Sequence, residues 1–230
     1  MSTLKRHTLC WVAQTALSDI AKQFELMFCS LPADIRHQAL ATLLSGALPG
    51  IVRRGAHTTE EVPLGFSFPL RWQGQRLRLR LAVNVPVRSI VRYSTPEQTA
   101  RLPLSNRTAA TRAFNRLRES GGWQELRMGV WGSVALEMVT PWQWTDNHSD
   151  LDIQIMPESL SSIAQCLETL RNIEHHYQLR IDGEILLSNG YAINIKEWFS
   201  GSLTLLAKGE NDVQLITRQD VIKLSKTSFN

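Results

Sequence analysis

Two aspartates one residue apart, Asp150 and Asp152, lie in the run Ser149-Asp150-Leu151-Asp152-Ile153. In a β-strand alternate side chains share a face, so the two carboxylates would project together while Leu151, Ile153 and Ile155 enter a core. Hard divalent cations such as Mg²⁺ take oxygen ligands and accompany phosphates, so two acids on a rigid strand make a metal seat. Upstream, the apolar run Met128 to Trp131 ends in Gly132-Ser133, which reads as a strand-to-helix turn. Glycine there permits close backbone approach, and helix N-terminal amides with the Ser133 hydroxyl can hold anionic oxygens. The bland alternative for Asp150 and Asp152 is a solvent-facing pair on an amphipathic strand. Their coupling to Gly132-Ser133 favours the catalytic reading.

Other chemistry-bearing residues are weaker candidates. Trp142 and Trp144 could stack an adenine or serve equally as buried hydrophobic anchors. His175 and His176 adjoin in sequence and diverge in direction, which suits a surface helix end better than a metal site. His7 is a lone N-terminal histidine that could touch phosphate, though such a residue is more often structural. The chain has no GxSxG elbow and no GxxxxGK(S/T) loop, which argues against hydrolase-type acyl transfer and P-loop chemistry. Cys10, Cys29 and Cys166 show no CxxC spacing, so neither a disulfide framework nor a zinc site is expected.

The elements that must position these residues follow from periodicity. Apolar residues at three- and four-residue spacings predict helix from about Trp11 to Leu48, broken near Ser30 ahead of Pro32, with a second helix over Asp34 to Leu44. Strands are expected over Gly50 to Arg54, Val62 to Trp72 and Gln75 to Asn84, the last two joined by a tight turn at Gln73-Gly74. Strict alternation in Arg76-Leu77-Arg78-Leu79-Arg80-Leu81 puts arginines on one face, either a solvated face or an anion-docking surface. A linker is expected over Tyr93 to Pro103. A helix capped by Ser105 should run to Glu119 and end at Gly121-Gly122, with Arg107, Arg112, Arg116 and Arg118 outside. A further helix should cover Pro157 to His176. Gln178 to Leu187 and Tyr191 to Trp198 should form a hairpin, followed by short elements at Leu203 to Ala207 and Val213 to Ile216.

At 230 residues with 43% hydrophobic content, the chain can bury a sizeable core as one large domain or two small ones. No apolar run approaches a membrane span and no secretory signal region opens the chain, so a cytoplasmic protein without membrane partners is expected. A net charge of +4 favours acidic partners: nucleotides, nucleic acid or an acidic protein.

The Gly-Ser turn followed by Asp-hydrophobic-Asp resembles the nucleotidyltransferase superfamily. More narrowly, an ordered set of segments resembles the phosphoribosyl-dephospho-CoA transferases of malonate decarboxylase, its holo-acyl-carrier-protein synthases. The set comprises Arg6-His7-Thr8-Leu9, Pro49-Gly50-Ile51-Val52-Arg53-Arg54, Val62-Pro63-Leu64-Gly65, Val130-Trp131-Gly132-Ser133, Ser149-Asp150-Leu151-Asp152 and Ile181-Asp182-Gly183-Glu184. Sixteen residues separate Ser133 from Asp150, more than in many members of the superfamily.

The resemblance implies a mixed α/β (α+β) chain: an N-terminal module with antiparallel strands over residues 1–95, then a nucleotidyltransferase-like domain with a mixed sheet over 100–230. It implies transfer of the phosphoribosyl-dephospho-CoA group from 2'-(5''-triphosphoribosyl)-3'-dephospho-CoA to a serine of the malonate decarboxylase acyl carrier protein, with release of pyrophosphate. Asp150 and Asp152 would hold Mg²⁺, and Gly132 and Ser133 the phosphate tail. A third catalytic carboxylate is implied, for which Asp182 is preferred over Glu184 and Glu197, although Asp182-Gly183 also reads as a turn. Nucleic acid is not the expected partner. The competing expectations are another nucleotidyl transfer, to a citrate lyase carrier protein, a tRNA or a small molecule, and a noncatalytic nucleotide-binding adaptor.

Overall fold

Continuous apolar strands backed by amphipathic helices build two units. A computed structural model describes residues 4–55, 58, 60–120, 127–157 and 160–227. One unit comprises residues 1–95 with 140–142, and the other 96–139 with 143–230.

The first unit contains β1 (Leu9–Val12), α1 (Gln14–Met27), α2 (Ala33–Leu44), β2 (Gly50–Val52), β3 (Glu61–Ser67), β4 (Leu70–Trp72), β5 (Gln75–Leu77), β6 (Arg80–Pro86) and β7 (Ile90–Ser94). Five of the strands form an antiparallel sheet in the order β6-β3-β2-β1-β7. Helix α1 buries Leu17, Ile20 and Phe24, and the Phe24 ring lies 5.3 Å from that of Phe68. Trp11 and Val12 are strand where the helix was expected to begin: Leu-Cys-Trp-Val over Leu9–Val12 is buried on both faces and carries no helical period.

Both long strands expected here are divided. The chain leaves the main sheet at Phe68-Pro69 and returns at Arg80, and β4 and β5 between them form a separate two-stranded sheet. Its turn has φ +50° at Gln73 and +78° at Gly74, the left-handed pair of a type I′ hairpin. The expected linker is largely ordered: Tyr93 and Ser94 belong to β7, paired with β1, and Pro96 opens a short helix.

The second unit contains α3 (Pro96–Thr99), α4 (Ala109–Glu119), β8 (Gly129–Trp131), α5 (Gly132–Val139), β9 (Leu151–Ile155), α6 (Leu160–Tyr177), β10 (Ile181–Leu186), β11 (Ala192–Asn194), α7 (Ile195–Trp198), β12 (Thr204–Lys208), β13 (Val213–Thr217) and α8 (Arg218–Thr227). Its six-stranded sheet runs β13-β12-β11-β10-β9-β8, with β9 and β10 parallel and the other neighbours antiparallel. A parallel pair needs a long crossover, which α6 supplies. Leu151, Ile153, Ile155, Ile181 and Ile185 are buried on one sheet face. Gly183 lies on that face, where a β-carbon would come within 2.9 Å of Ile195 and 3.5 Å of Leu170 on α6.

Helix α4 starts later than expected. Thr108, not Ser105, is the N-cap, in a reciprocal capping box with Thr111. Gly121-Gly122, the expected terminator, lies outside the described residues. Ile195–Trp198 is helix rather than strand because the Asn194 side chain accepts from the backbone of Lys196 and Glu197. Among the described residues, no helix is long and apolar enough to cross a membrane.

Candidate active site

Alternation along β9 and β10 separates a polar face from the apolar one. Because the two strands are parallel and in register, Asp182 stands directly beside Asp152, and Glu184 beside Gln154. On the other side of β9, Trp131 pairs with Asp152. One residue after Trp131 the chain turns into α5 through Gly132, whose φ is +69°. A side chain at 132 would be strained by that dihedral and would collide with Asp152 Oδ2. The turn that opens α5 is therefore built against the Asp152 carboxylate. Ser133, the next residue, is half-buried.

The expected residues differ in setting. Asp150, just before β9, is exposed, while Asp152 and Asp182 are half-buried and Glu184 is buried. Arg180 clamps Asp182 with two nitrogens, at 2.7 and 2.9 Å from Nη2 to the two carboxylate oxygens and 3.2 Å from Nε. Lys208 on β12 donates to Glu184 Oε1 at 2.9 Å. Glu197 lies apart on α7, accepting from the Leu206 amide. Burial, reinforced by the negative charges of Asp182, Asp150 and Glu184, pushes Asp152 up to about 7 despite Arg180. Of the three expected catalytic acids, the structure thus sets Asp152 and Asp182 side by side, with Asp150 at the strand's entrance. Among the described residues, no group of three or more His, Cys, Asp or Glu side chains is arranged to hold a metal ion.

The long segment between Ser133 and Asp150 is held by a residue the sequence did not single out. Glu137 on α5 accepts from the backbone of Trp144 (2.9 Å) and Thr145 (2.6 Å), from Thr145 Oγ1 (2.7 Å), and from Arg107 Nε and Nη2 (2.9 and 2.8 Å). Arg107 also donates to the Thr145 carbonyl, and Thr145 Oγ1 meets Thr108 Oγ1 at the α4 cap. Burial alone would raise Glu137, yet the hydrogen bonds from Arg107 and Thr145 outweigh it and hold the carboxylate below its ordinary range. Near the far end, Asp146 Oδ1 accepts from the His148 amide and from Ser149 Oγ, closing a turn that delivers Asp150 to β9. The sequence could offer only the Thr108-Thr111 capping pattern as a clue to this arrangement.

The remaining candidates are structural in setting. Trp144 is buried, at 2% exposure, and so is a core anchor rather than a stacking surface. Trp142 is half-buried, and His175 and His176 are exposed at the end of α6. His7 has φ +67°, donates its amide to Val52 O, and sets Nε2 2.8 Å from an Arg6 nitrogen.

Comparison with known proteins points the same way over nearly the whole chain. Residues 97–219 match the model of the phosphoribosyl-dephospho-CoA transferase MdcG C-terminal domain, and residues 5–96 that of its N-terminal domain. A phosphoribosyl-dephospho-CoA transferase of Xanthomonas campestris pv. campestris is 27% identical over 215 residues, 93% of this chain and 94% of the relative. Proteins of the same name from Pseudomonas fluorescens and Bradyrhizobium diazoefficiens are each 26% identical, over 187 residues (81% of this chain, 86% of the relative) and 172 residues (74% and 75%). No solved structure matches the chain.

Proposed function

Because the chain belongs to the phosphoribosyl-dephospho-CoA transferase MdcG family and is thus an enzyme of the transferase class, we propose that it loads the acyl carrier protein of malonate decarboxylase in the cytoplasm. The donor would be 2'-(5''-triphosphoribosyl)-3'-dephospho-CoA and the acceptor a carrier serine. The serine Oγ would form a bond to the α-phosphorus as the bond to the bridging oxygen breaks, with loss of the hydroxyl proton and release of pyrophosphate. The observation that carries this reading is the fit of the Asp152 carboxylate against the Gly132 turn, with Asp182 in register beside it. That arrangement would bring a metal seat beside a phosphate-holding helix start.

The donor set suits Mg²⁺: oxygen ligands only, in a setting where burial and neighbouring carboxylates push Asp152 up to about 7 and a cation would offset them. Asp150 and Asp152 would hold the ion, and Asp182, balanced by Arg180, would border it. When bound, the ion supplies neutralisation of the phosphate oxygens and acidification of the attacking hydroxyl. The chain's own contribution is positional. Gly132 lets the phosphate tail approach the start of α5, Ser133 Oγ adds a hydrogen bond, and Glu137 fixes the connecting loop at Trp144 and Thr145.

The test is intact-mass spectrometry of the apo carrier protein incubated with donor and Mg²⁺. The carrier should gain the mass of the prosthetic group, with pyrophosphate released in equal amount. An unmodified malonate decarboxylase carrier alongside a modified citrate lyase carrier would reassign the acceptor. No transfer to either would favour the adaptor.

A further inference from the structure

The β4–β5 hairpin lies in the part of the chain where positive charge is concentrated. Residues 62–96 contain six arginines, no lysine and no acidic residue. The rest of the chain has 19 basic against 21 acidic residues, so the whole positive excess resides in this stretch. Four of the six, Arg71, Arg76, Arg78 and Arg80, are exposed along the hairpin and at the start of β6. Arg71 and Arg76 are direct cross-strand partners. Like charges placed opposite each other destabilise a pair of strands, and a two-stranded sheet is marginal to begin with. The cost is borne at a fixed position. Leu70 and Leu79 are buried at the root, α2 packs against β4, and the Phe68 amide donates to Leu79 O. Arg71 and Arg76 thus share one exposed face of the hairpin, and Arg78 follows on that face by alternation, while Trp72 and Gln75 pair on the other.

We propose that this hairpin docks an acidic face of the acceptor protein, with Arg71, Arg76 and Arg78 pairing with carboxylates. The partner's identity rests on the acceptor reading above. The choice of guanidinium throughout suits bidentate pairing with carboxylates, and arginines are among the residues that dominate the energetics of protein interfaces. An extended polyanion such as nucleic acid fits less well. The strands are three residues each, and beyond residues 62–96 acidic residues outnumber basic ones.

The experiment compares the full chain with an Arg71→Glu/Arg78→Glu variant in titration calorimetry against the apo carrier protein of malonate decarboxylase, at low and high salt, with a thermal melt of each. Docking at the hairpin predicts a Kd raised by about tenfold or more and a flattened salt dependence. Turnover at saturating carrier should be unchanged. The melting temperature should hold or rise, since Glu at 71 would face Arg76 with opposite charge. Should the reversal cost folding, Arg71→Gln/Arg78→Gln carries the same comparison without it. Wild-type carrier affinity and salt dependence in the folded variant would overturn the proposal. So would an intact carrier Kd accompanied by lost binding to a DNA duplex or to anionic vesicles. Failure of the wild-type protein itself to load the carrier is a separate result, which removes the acceptor and the docking partner together.

Discussion

The two units solve opposite electrostatic problems. The first carries twelve basic and five acidic residues, the second thirteen and sixteen. In the second, acids are answered by cations: Asp182 by Arg180 and Glu184 by Lys208 on the polar sheet face, and Glu174 on α6 by Lys196. Among the described residues Asp152 forms no ion pair, and burial with its acidic neighbours pushes it up to about 7. In the first unit, arginines are set beside one another instead, at Arg71 and Arg76. Like charges gathered side by side, of either sign, raise the energy of the free protein. Such an arrangement is expected where a ligand of opposite sign supplies the balance: a cation at Asp152, an anionic surface at the hairpin.

The largest effect should come from breaking the acidic side of that contrast. Asp152→Asn keeps volume and fold while removing the charge set against the Gly132 turn, and transfer should fall by on the order of 10²-fold or more. The same variant should bind the carrier normally, because the hairpin is untouched. Turnover within a few-fold of wild type by a variant with an unaltered melt would sink the metal-seat assignment.

The pH dependence of stability sharpens the comparison, because Asp152 should dominate it near neutrality. Its folded-state value, about 7, lies above the 3.8 of an unperturbed aspartate. The folded chain therefore binds the Asp152 proton more tightly than the unfolded chain. The associated stability is complete below pH 4 and is lost as pH rises toward 7. At about 1.4 kcal/mol per pH unit of displacement, the loss is on the order of a few kcal/mol. Melting temperatures without divalent ions should decline over that window. Mg²⁺ should restore stability at pH 8 and do little at pH 5, where the proton competes. In Asp152→Asn both trends should vanish, and persistence of the Mg²⁺ effect there would place the ion elsewhere.

Glu137 tests whether the second unit's site depends on its surrounding charge pairs. Truncation to alanine strands Arg107 and the amides of Trp144 and Thr145, and removal of one partner of a buried ion pair costs about 3–5 kcal/mol. Arg107 is 31% exposed, so solvent softens the loss toward about 2–3 kcal/mol. Chemical denaturation should show that loss, with a higher KM for the donor in the remaining folded protein. An unchanged denaturation midpoint would mean that the loop holds Asp150 without Glu137.

Legibility followed the range of the interactions. The alternation of Asp150-Leu151-Asp152-Ile153 and of Asp182-Gly183-Glu184 has a period of two and needs only local sequence, so the polar face could be sketched before any coordinates. The Gln73-Gly74 hairpin was legible for the same reason. The register that puts Asp182 rather than Glu184 beside Asp152 depends on pairing across α6, which no local pattern encodes. Glu137 is an ordinary glutamate in an amphipathic helix until Arg107, 30 residues away, and the Thr145 amide reach it. Trp11 and Val12 misled because the apolar run Leu9–Val12 beside a helical pattern has no period of its own, and only the sheet on both sides makes it a strand.

The smallest expected effect belongs to arginines outside the hairpin, and it separates placement from residue type. Arg112 and Arg116 are exposed on α4 in the acidic unit, where Arg116 approaches Glu119 at 3.9 Å with both side chains largely in solvent. Such pairs contribute about 0–1 kcal/mol, and a helix face of this kind is ordinarily a solvated surface. Reversing both, Arg112→Glu/Arg116→Glu, changes the net charge by as much as reversing Arg71 and Arg78. If long-range attraction by total charge governed encounter with the carrier, the two double variants would weaken it alike. Docking at the hairpin predicts instead less than about a twofold change in carrier Kd for the α4 variant, against about tenfold or more for the hairpin variant. Equal losses in the two, measured at the same ionic strength, would reduce the contrast between the units to net charge alone.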